Sequence, residues 1–315
     1  MASIAKRYLT RDEIRELTEL SDADGWRMVG KTVGTLTAVF AATAAVPWLA
    51  PLSVVLLGGQ QHALAILVHE SAHRTLFRNR RLNDWAGRVF GSFVWLHMDD
   101  YRRHHLKHHR LTGTEDDPDG SLRAPYPATR TALARRAARD LLGISGLKRF
   151  LALALMDLRV VAFTVAATSE RLPPEPLATR LPYTVPRLGG VLAAQLALFA
   201  LLASLGVAWL YGLWAIAWLT VYGLLVRWRA AAEHAATEHS GDMLRNTRSV
   251  AANALERLTL APHAVGLHLE HHLLMTVPAP KLQRLHDLLV ARGALDDSPV
   301  AAGYVAVLRE ITVEP

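Results

Sequence analysis

The 315 residues contain no cysteine. That excludes disulfides, thiolate metal sites and a cysteine nucleophile, so any metal must be held by nitrogen and oxygen. Charge is missing from two long stretches: residues 32–68 and 189–226 hold no Asp, Glu, Lys or Arg. The N-terminal segment has no apolar stretch with a small-residue cleavage site, and Arg7, Arg11, Asp12, Glu13, Arg15 and Glu16 crowd it instead, so no cleavable signal is expected. Flavin, haem and iron–sulfur motifs are absent, as are repeats and low-complexity tracts.

What is present is a mixture unusual for a soluble domain. About half the residues are apolar and a fifth are charged, yet the mean hydropathy is positive. At ~20 residues per crossing, each uncharged run is too long for one span and fits a hairpin of two helices. The turns are expected at Pro47, Trp48, Leu49, Ala50 and Pro51, and at residues 206–212. Every Lys and Arg then falls on one side, which the positive-inside rule makes cytoplasmic. The net charge of +7 is thereby explained without a nucleic-acid partner. Two very hydrophobic core helices of a soluble protein would not partition charge so cleanly.

The expected fold is therefore an all-α integral membrane protein: two transmembrane helical hairpins, about four spans, under a helical cytoplasmic cap. It reads as one unit, 1–315. An N-terminal cytoplasmic helix (1–31) precedes the first hairpin (32–73). A cytoplasmic and interfacial region (74–187) leads to the second hairpin (188–239), and a cytoplasmic C-terminal region (240–315) follows. An amphipathic helix should start near Thr10, which forms a capping-box pattern with Glu13. The apolar run 85–98 is too short to cross and suits an interfacial or re-entrant helix. Residues 150–167 read as a second interfacial helix, with a third crossing as the alternative. Residues 171–187, with five prolines, read as a surface linker, and a helix should carry Arg227 to His239.

Most of the fifteen histidines gather in a few short segments. The first is His69-Glu70-Ser71-Ala72-His73, where positions four apart share a helix face and could grip one metal together. The second is His104-His105-Leu106-Lys107-His108-His109, and the third is His268-Leu269-Glu270-His271-His272. In each of the latter two, a histidine three and four residues before an adjacent pair can direct ligands toward two nearby metals. One His-x3-His pair is weak evidence, because it also marks zinc hydrolases. Three clusters on one side of a membrane are a strong signal. Zinc sites take three or four protein ligands, so eight imidazoles imply a binuclear centre. Imidazole suits zinc, copper and iron, but oxidising unactivated C–H bonds needs a redox metal, which zinc is not. Among nearby carboxylates, Glu70 and Asp117 are expected to accept the second N–H of ligating imidazoles and so fix their tautomers. His62, seven residues before His69 on the same helix face, is a substrate-channel candidate or a hydrogen-bonded structural histidine. His97, His263 and His286 read as surface residues or as groups packed behind the ligands.

With these motifs in hand, the sequence resembles the membrane fatty acid desaturase and hydroxylase superfamily. The resemblance rests on His69 through Phe77 with Asn83-Asp84, on His108 through Thr114, on Asp117-Pro118-Asp119, and on His268 through Val277-Pro278 and Leu282 to His286. It covers roughly residues 58–119 and 226–286. It implies that His69, His73, His105, His108, His109, His268, His271 and His272 ligate two iron ions, with His105 preferred to His104. It also implies a further ligand at the cytoplasmic end of the last span, for which His234 is preferred to His239. The implied chemistry is dioxygen-dependent removal of hydrogen from an acyl chain of a lipid or acyl thioester. Electrons would come from an external ferredoxin or cytochrome b5 type donor with its reductase. The basic segments Arg78-Asn79-Arg80-Arg81 and Arg102-Arg103 could dock that donor or anchor against lipid headgroups. Carotenoid ketolases and hydroxylases share the architecture, and residues 113–119 resemble the ketolase group. A membrane zinc hydrolase with Glu70 as base is the rival from another class, and a metal carrier ranks last.

Overall fold

The computed structural model describes residues 2–164 and 168–314, and they are predominantly helical. Two short helices, α1 (Ala2–Tyr8) and α2 (Arg11–Thr18), come first. Thr10 caps α2 in a reciprocal box with Glu13, as the sequence predicts. The first apolar helix, α3 (Asp22–Ala45), starts well before the uncharged run, capped by Ser21. A turn at Pro47–Leu49 reverses the chain into α4 (Ala50–His73). After α4 come α5 (Arg80–Val94), α6 (Met98–Leu111), the single turn α7 (Gly120–Arg123), α8 (Arg130–Leu141) and α9 (Ile144–Asp157). The second hairpin consists of α10 (Leu177–Ser204) and the consecutive helices α11 (Leu210–Leu219) and α12 (Val221–His234). Four shorter helices close the chain: α13 (Ala254–Thr259), α14 (His268–Leu273), α15 (Leu282–Ala291) and α16 (Tyr304–Glu310).

Four segments are long and apolar enough to cross a membrane: Asp22–Ala45, Pro47–His73, Leu177–Ser204 and Leu210–His234. They form the two expected hairpins. The α4 helix is the axis of the molecule, packed against α3, α5, α6, α11, α12 and α13. Its residues 57–72 are buried apart from half-buried Ala65. Two glycines allow this crowding. A Cβ on Gly58 would lie 2.7 Å from Val221, and one on Gly59 would lie 2.9 Å from the Leu258 carbonyl oxygen. By contrast, α10 turns Leu192, Leu196 and Phe199 outward, as a lipid-facing helix does.

Three expectations need correction. Residues 150–167 are neither one helix nor a crossing, because α9 stops at Asp157 and Val161–Phe163 pairs antiparallel with Ser169–Arg171; residues 165–167 lie outside the described chain. The cause is Asp157, a buried carboxylate drawn inward by Trp95 (2.9 Å), His97 (2.9 Å) and Arg187 (2.8 Å). The proline-rich linker is also shorter than expected: α10 begins at Leu177 and contains Pro182 and Pro186. Pro186 stands four residues after Pro182, so each removes one helical N–H donor on the same side of the helix. Tertiary bonds hold this turn, from Thr184 to the Asp157 carbonyl (2.6 Å) and from Arg187 to Asp157 and Asp100. Finally, α12 ends at His234, so His239 lies beyond it, exposed.

Candidate metal centre

Four elements bring the histidines together. The last turns of α4 carry His69 and His73, and Arg74 closes that helix in a left-handed conformation. The α6 helix carries His105, His108 and His109, the end of α12 carries His234, and α14 carries His268, His271 and His272. Of the fifteen histidines, the nine expected as ligands converge into two sets. His69, His73, His105, His109 and His271 form one, and His108, His234, His268 and His272 the other. Within each set, one nitrogen per ring lies within 4.8 Å of the others. Neighbours in sequence, His108 with His109 and His271 with His272, fall into different sets because successive helical residues point ~100° apart. His104 stays outside, bonded to Asp119 at 2.6 Å.

The nitrogens are arranged as metal ligands rather than as a hydrogen-bond network. His105 Nε2 lies 2.8 Å from His73 Nε2 and 3.1 Å from His109 Nε2, and His109 Nε2 lies 3.0 Å from His271 Nε2. A ring nitrogen carries either one proton or one lone pair, so none can serve two such contacts. His234 and His268 approach each other similarly, Nε2 to Nε2 at 2.9 Å. The Nε2 atoms of His69 and His272 are buried with no hydrogen-bond partner among the described residues. Burial, reinforced by the neighbouring imidazoles, holds His105, His109, His268, His271 and His272 well below the usual histidine pKa. The rings are thus neutral, with lone pairs facing inward, which is the state metal binding requires. The donor set fits two metal ions held by nitrogen.

Carboxylates orient these rings from behind. Asp117 Oδ1 accepts the His108 Nδ1–H at 2.8 Å and the Asp119 backbone N–H at 2.9 Å. Burial would raise the Asp117 pKa, but the His108 hydrogen bond, with the Asp119 N–H and the charge of Arg123, overcomes it and the net shift is downward. Glu70 Oε1 lies 3.2 Å from His69 Nδ1, while its Oε2 accepts from Thr75 Oγ1 (2.9 Å) and the Ala279 N–H (3.0 Å). Both Glu70 oxygens are therefore engaged and the side chain is buried, which commits the carboxylate to holding His69, Thr75 and the Ala279 backbone.

Two further carboxylates beside the histidines, Glu270 and Glu233, also act as supports. At six residues, α14 is too short to persist alone. Its buried Glu270 ties it to His286 of α15 (2.6 Å) and to Ser249. Of the two readings open for His286, the structure favours the one behind the ligands, as an anchor of the third histidine segment. Glu233, paired with Arg229 at 2.6 Å, stands 3.6 Å from His268 Nε2. His62 is buried, its Nδ1 3.1 Å from the Thr259 carbonyl oxygen. Arg102 overturns its expected role in docking a partner. Its guanidinium, turned inward, donates to the Ala72 (3.0 Å) and Ser71 (2.9 Å) carbonyls and pairs with Asp84 (2.6 Å). It satisfies the terminal carbonyls of α4 and locks the first histidine segment to the second. Arg80 and Arg81 remain exposed.

Comparison with known proteins agrees with this arrangement. Over 282 residues the chain is 27% identical to a dihydrorhizobitoxine desaturase of Bradyrhizobium elkanii, a match covering 85% of this chain and 76% of that protein. The model of the fatty acid desaturase family matches residues 45–302, a stretch that contains both hairpins' histidine-bearing ends and all nine converging imidazoles, and the chain belongs to that family.

Proposed function

We propose that this protein is an oxygen-dependent di-iron desaturase that introduces a double bond into a fatty acyl chain of a lipid or acyl thioester. The observation that carries the reading is the division of nine converging imidazoles, eight of them buried, into two adjacent sets. His69, His73, His105, His109 and His271 would hold one iron, and His108, His234, His268 and His272 the other. When bound, the pair supplies the redox chemistry with dioxygen that breaks two C–H bonds. The protein's own part is positioning and exclusion of water. Tyr101 stacks on His105 at 5.1 Å, and Glu70 and Asp117 keep their imidazoles in the tautomer that presents Nε2. Two electrons per turnover come from an external ferredoxin or cytochrome b5 type donor with its reductase.

The whole of 1–315 functions as one desaturase unit in the inner or plasma membrane. Its two hairpins return both termini and the histidine sites to the cytoplasmic side, where the positive-inside rule puts the arginine-rich segments. The engaged oxygens of Glu70 argue against the zinc hydrolase.

The test is expression in a host with a compatible reductase, with iron measured in the purified protein and acyl chains profiled by mass spectrometry. Because the relative is named for dihydrorhizobitoxine, small polar metabolites are profiled in parallel. Iron near two equivalents and a new double bond that disappears in His109→Ala and His272→Ala are expected. Turnover without oxygen or reductant, or full activity in either variant, overturns the proposal.

A further inference from the structure

A cleft of about 450 Å³ lies beside α12, away from the histidines. It is reached past Trp228, which sits ~120° around the helix from His234. One face of α8 forms a wall with Arg130, Leu133, Ala134 and Ala137, spaced three and four apart. Leu308 and Arg309 of α16, followed by Val313 and Glu314, form the other. The walls are mainly apolar and the charges sit at the rim. Glu314 approaches Arg130 at 3.8 Å, but both are highly exposed, and such a pair contributes little. With Arg309 added to the Arg130 and Glu314 pair, the mouth is net positive.

The depth of the cleft is set by the chain itself. The uncharged run 189–226 ends at Arg227, so Trp228 stands where the span leaves the bilayer, 36% exposed. Nearby α9 turns Ile144, Leu147, Phe150 and Leu151 outward, as a helix lying in the interface does. Arg227 of α12 pairs with Asp140 of α8 at 2.8 Å, fixing the two helices that flank the cleft. A smaller hollow shares Leu133, Trp228 and Leu308 and continues to Ala231 and Ala232, in the last turn of α12, and to Tyr304. The Tyr304 hydroxyl is buried without a hydrogen-bond partner among the described residues.

We propose that this cleft binds one acidic phospholipid of the surrounding membrane. An acyl chain lies along Leu133, Ala137, Trp228 and Leu308, and the phosphate meets Arg130 and Arg309. An apolar trough with basic residues and a tryptophan at headgroup level matches that ligand in both polarity and charge. The lipid joins α8, α12 and α16 and so braces the helix that ends in His234. This requires the protein to lie in a membrane and is independent of which substrate it oxidises.

The test uses the full-length protein in detergent, with phosphatidylglycerol and phosphatidylcholine as probes, read by native mass spectrometry and thermal unfolding. One retained phosphatidylglycerol per chain and a raised melting temperature are expected, with little effect of phosphatidylcholine. Arg130→Glu with Arg309→Glu should weaken retention at least about tenfold, while Arg135→Glu with Arg139→Glu, outside the cleft, should not. If charge reversal prevents folding, Arg130→Gln with Arg309→Gln replaces it. Equal retention of both lipids, or equal loss in both arginine pairs, overturns the proposal. So does a retained lipid that itself acquires the double bond, since the cleft would then be the substrate's mouth.

Discussion

Replacing Asp117 tests how the second histidine set is held. Asp117 Oδ1 accepts the His108 Nδ1–H at 2.8 Å in a fully buried contact, which fixes Nε2 as the lone-pair nitrogen facing His234, His268 and His272. In Asp117→Ala that N–H loses its acceptor. A buried unsatisfied donor costs ~1–3 kcal/mol, and the ring can relieve it by turning or by moving its proton to Nε2. Either change removes one of four ligands. Loss of such an orienting partner typically weakens metal binding 10–100-fold, or ~1.4–2.7 kcal/mol at 1.36 kcal/mol per factor of ten. Asp117→Asn keeps a carbonyl oxygen for the same N–H and should fall between wild type and alanine. The assay is dialysis against graded chelator with metal counted per chain. The expected result is biphasic release in Asp117→Ala: one equivalent leaves at 10–100-fold lower chelator, and the other, held by His69, His73, His105, His109 and His271, leaves as in wild type. Two equivalents released together at the wild-type chelator concentration would refute the reasoning.

Three other perturbations follow from the same geometry. Arg102→Ala removes three hydrogen bonds to α4 and Asp84, and should lower stability by ~2–4 kcal/mol in detergent melts, with bound iron falling as well. Glu70→Gln must turn its amide NH2 toward one of three donors, so metal affinity and turnover should fall together by roughly tenfold; lost turnover with unchanged metal affinity would instead indicate a direct chemical role. The Glu270 hydrogen bond raises the His286 pKa above its ordinary value of about 6.5. A raised folded value gives stability that is complete below the unfolded pKa and fades as pH climbs through the folded one. Melting curves from pH 6 to 9 should therefore show an alkaline decline that is flattened in His286→Gln.

Local spacing made a large part of this legible. The absence of charge in 32–68 and 189–226 located the hairpins, and helical periodicity grouped His69 with His73 and separated His108 from His109. What escaped depended on partners distant in sequence. Nothing near residue 157 announces that Asp157 will be buried by Trp95, His97 and Arg187, and that burial ends α9 early. Pro182 and Pro186 read locally as a linker, yet bonds from Thr184 and Arg187 hold them inside α10. Arg102 reads as surface charge in a basic run, and only the carbonyls of Ser71 and Ala72, thirty residues away, turn it inward. The same holds for His286, whose role depends on Glu270.

The splitting of the adjacent pairs has a mechanical consequence. The α6 helix contributes to both histidine sets through His105, His109 and His108, and α14 does so through His271, His268 and His272. Two helices therefore thread both positions, and their backbones act as rulers for the gap between them. A single residue inserted between His105 and His108 would turn both following rings by ~100° and disturb the two positions together.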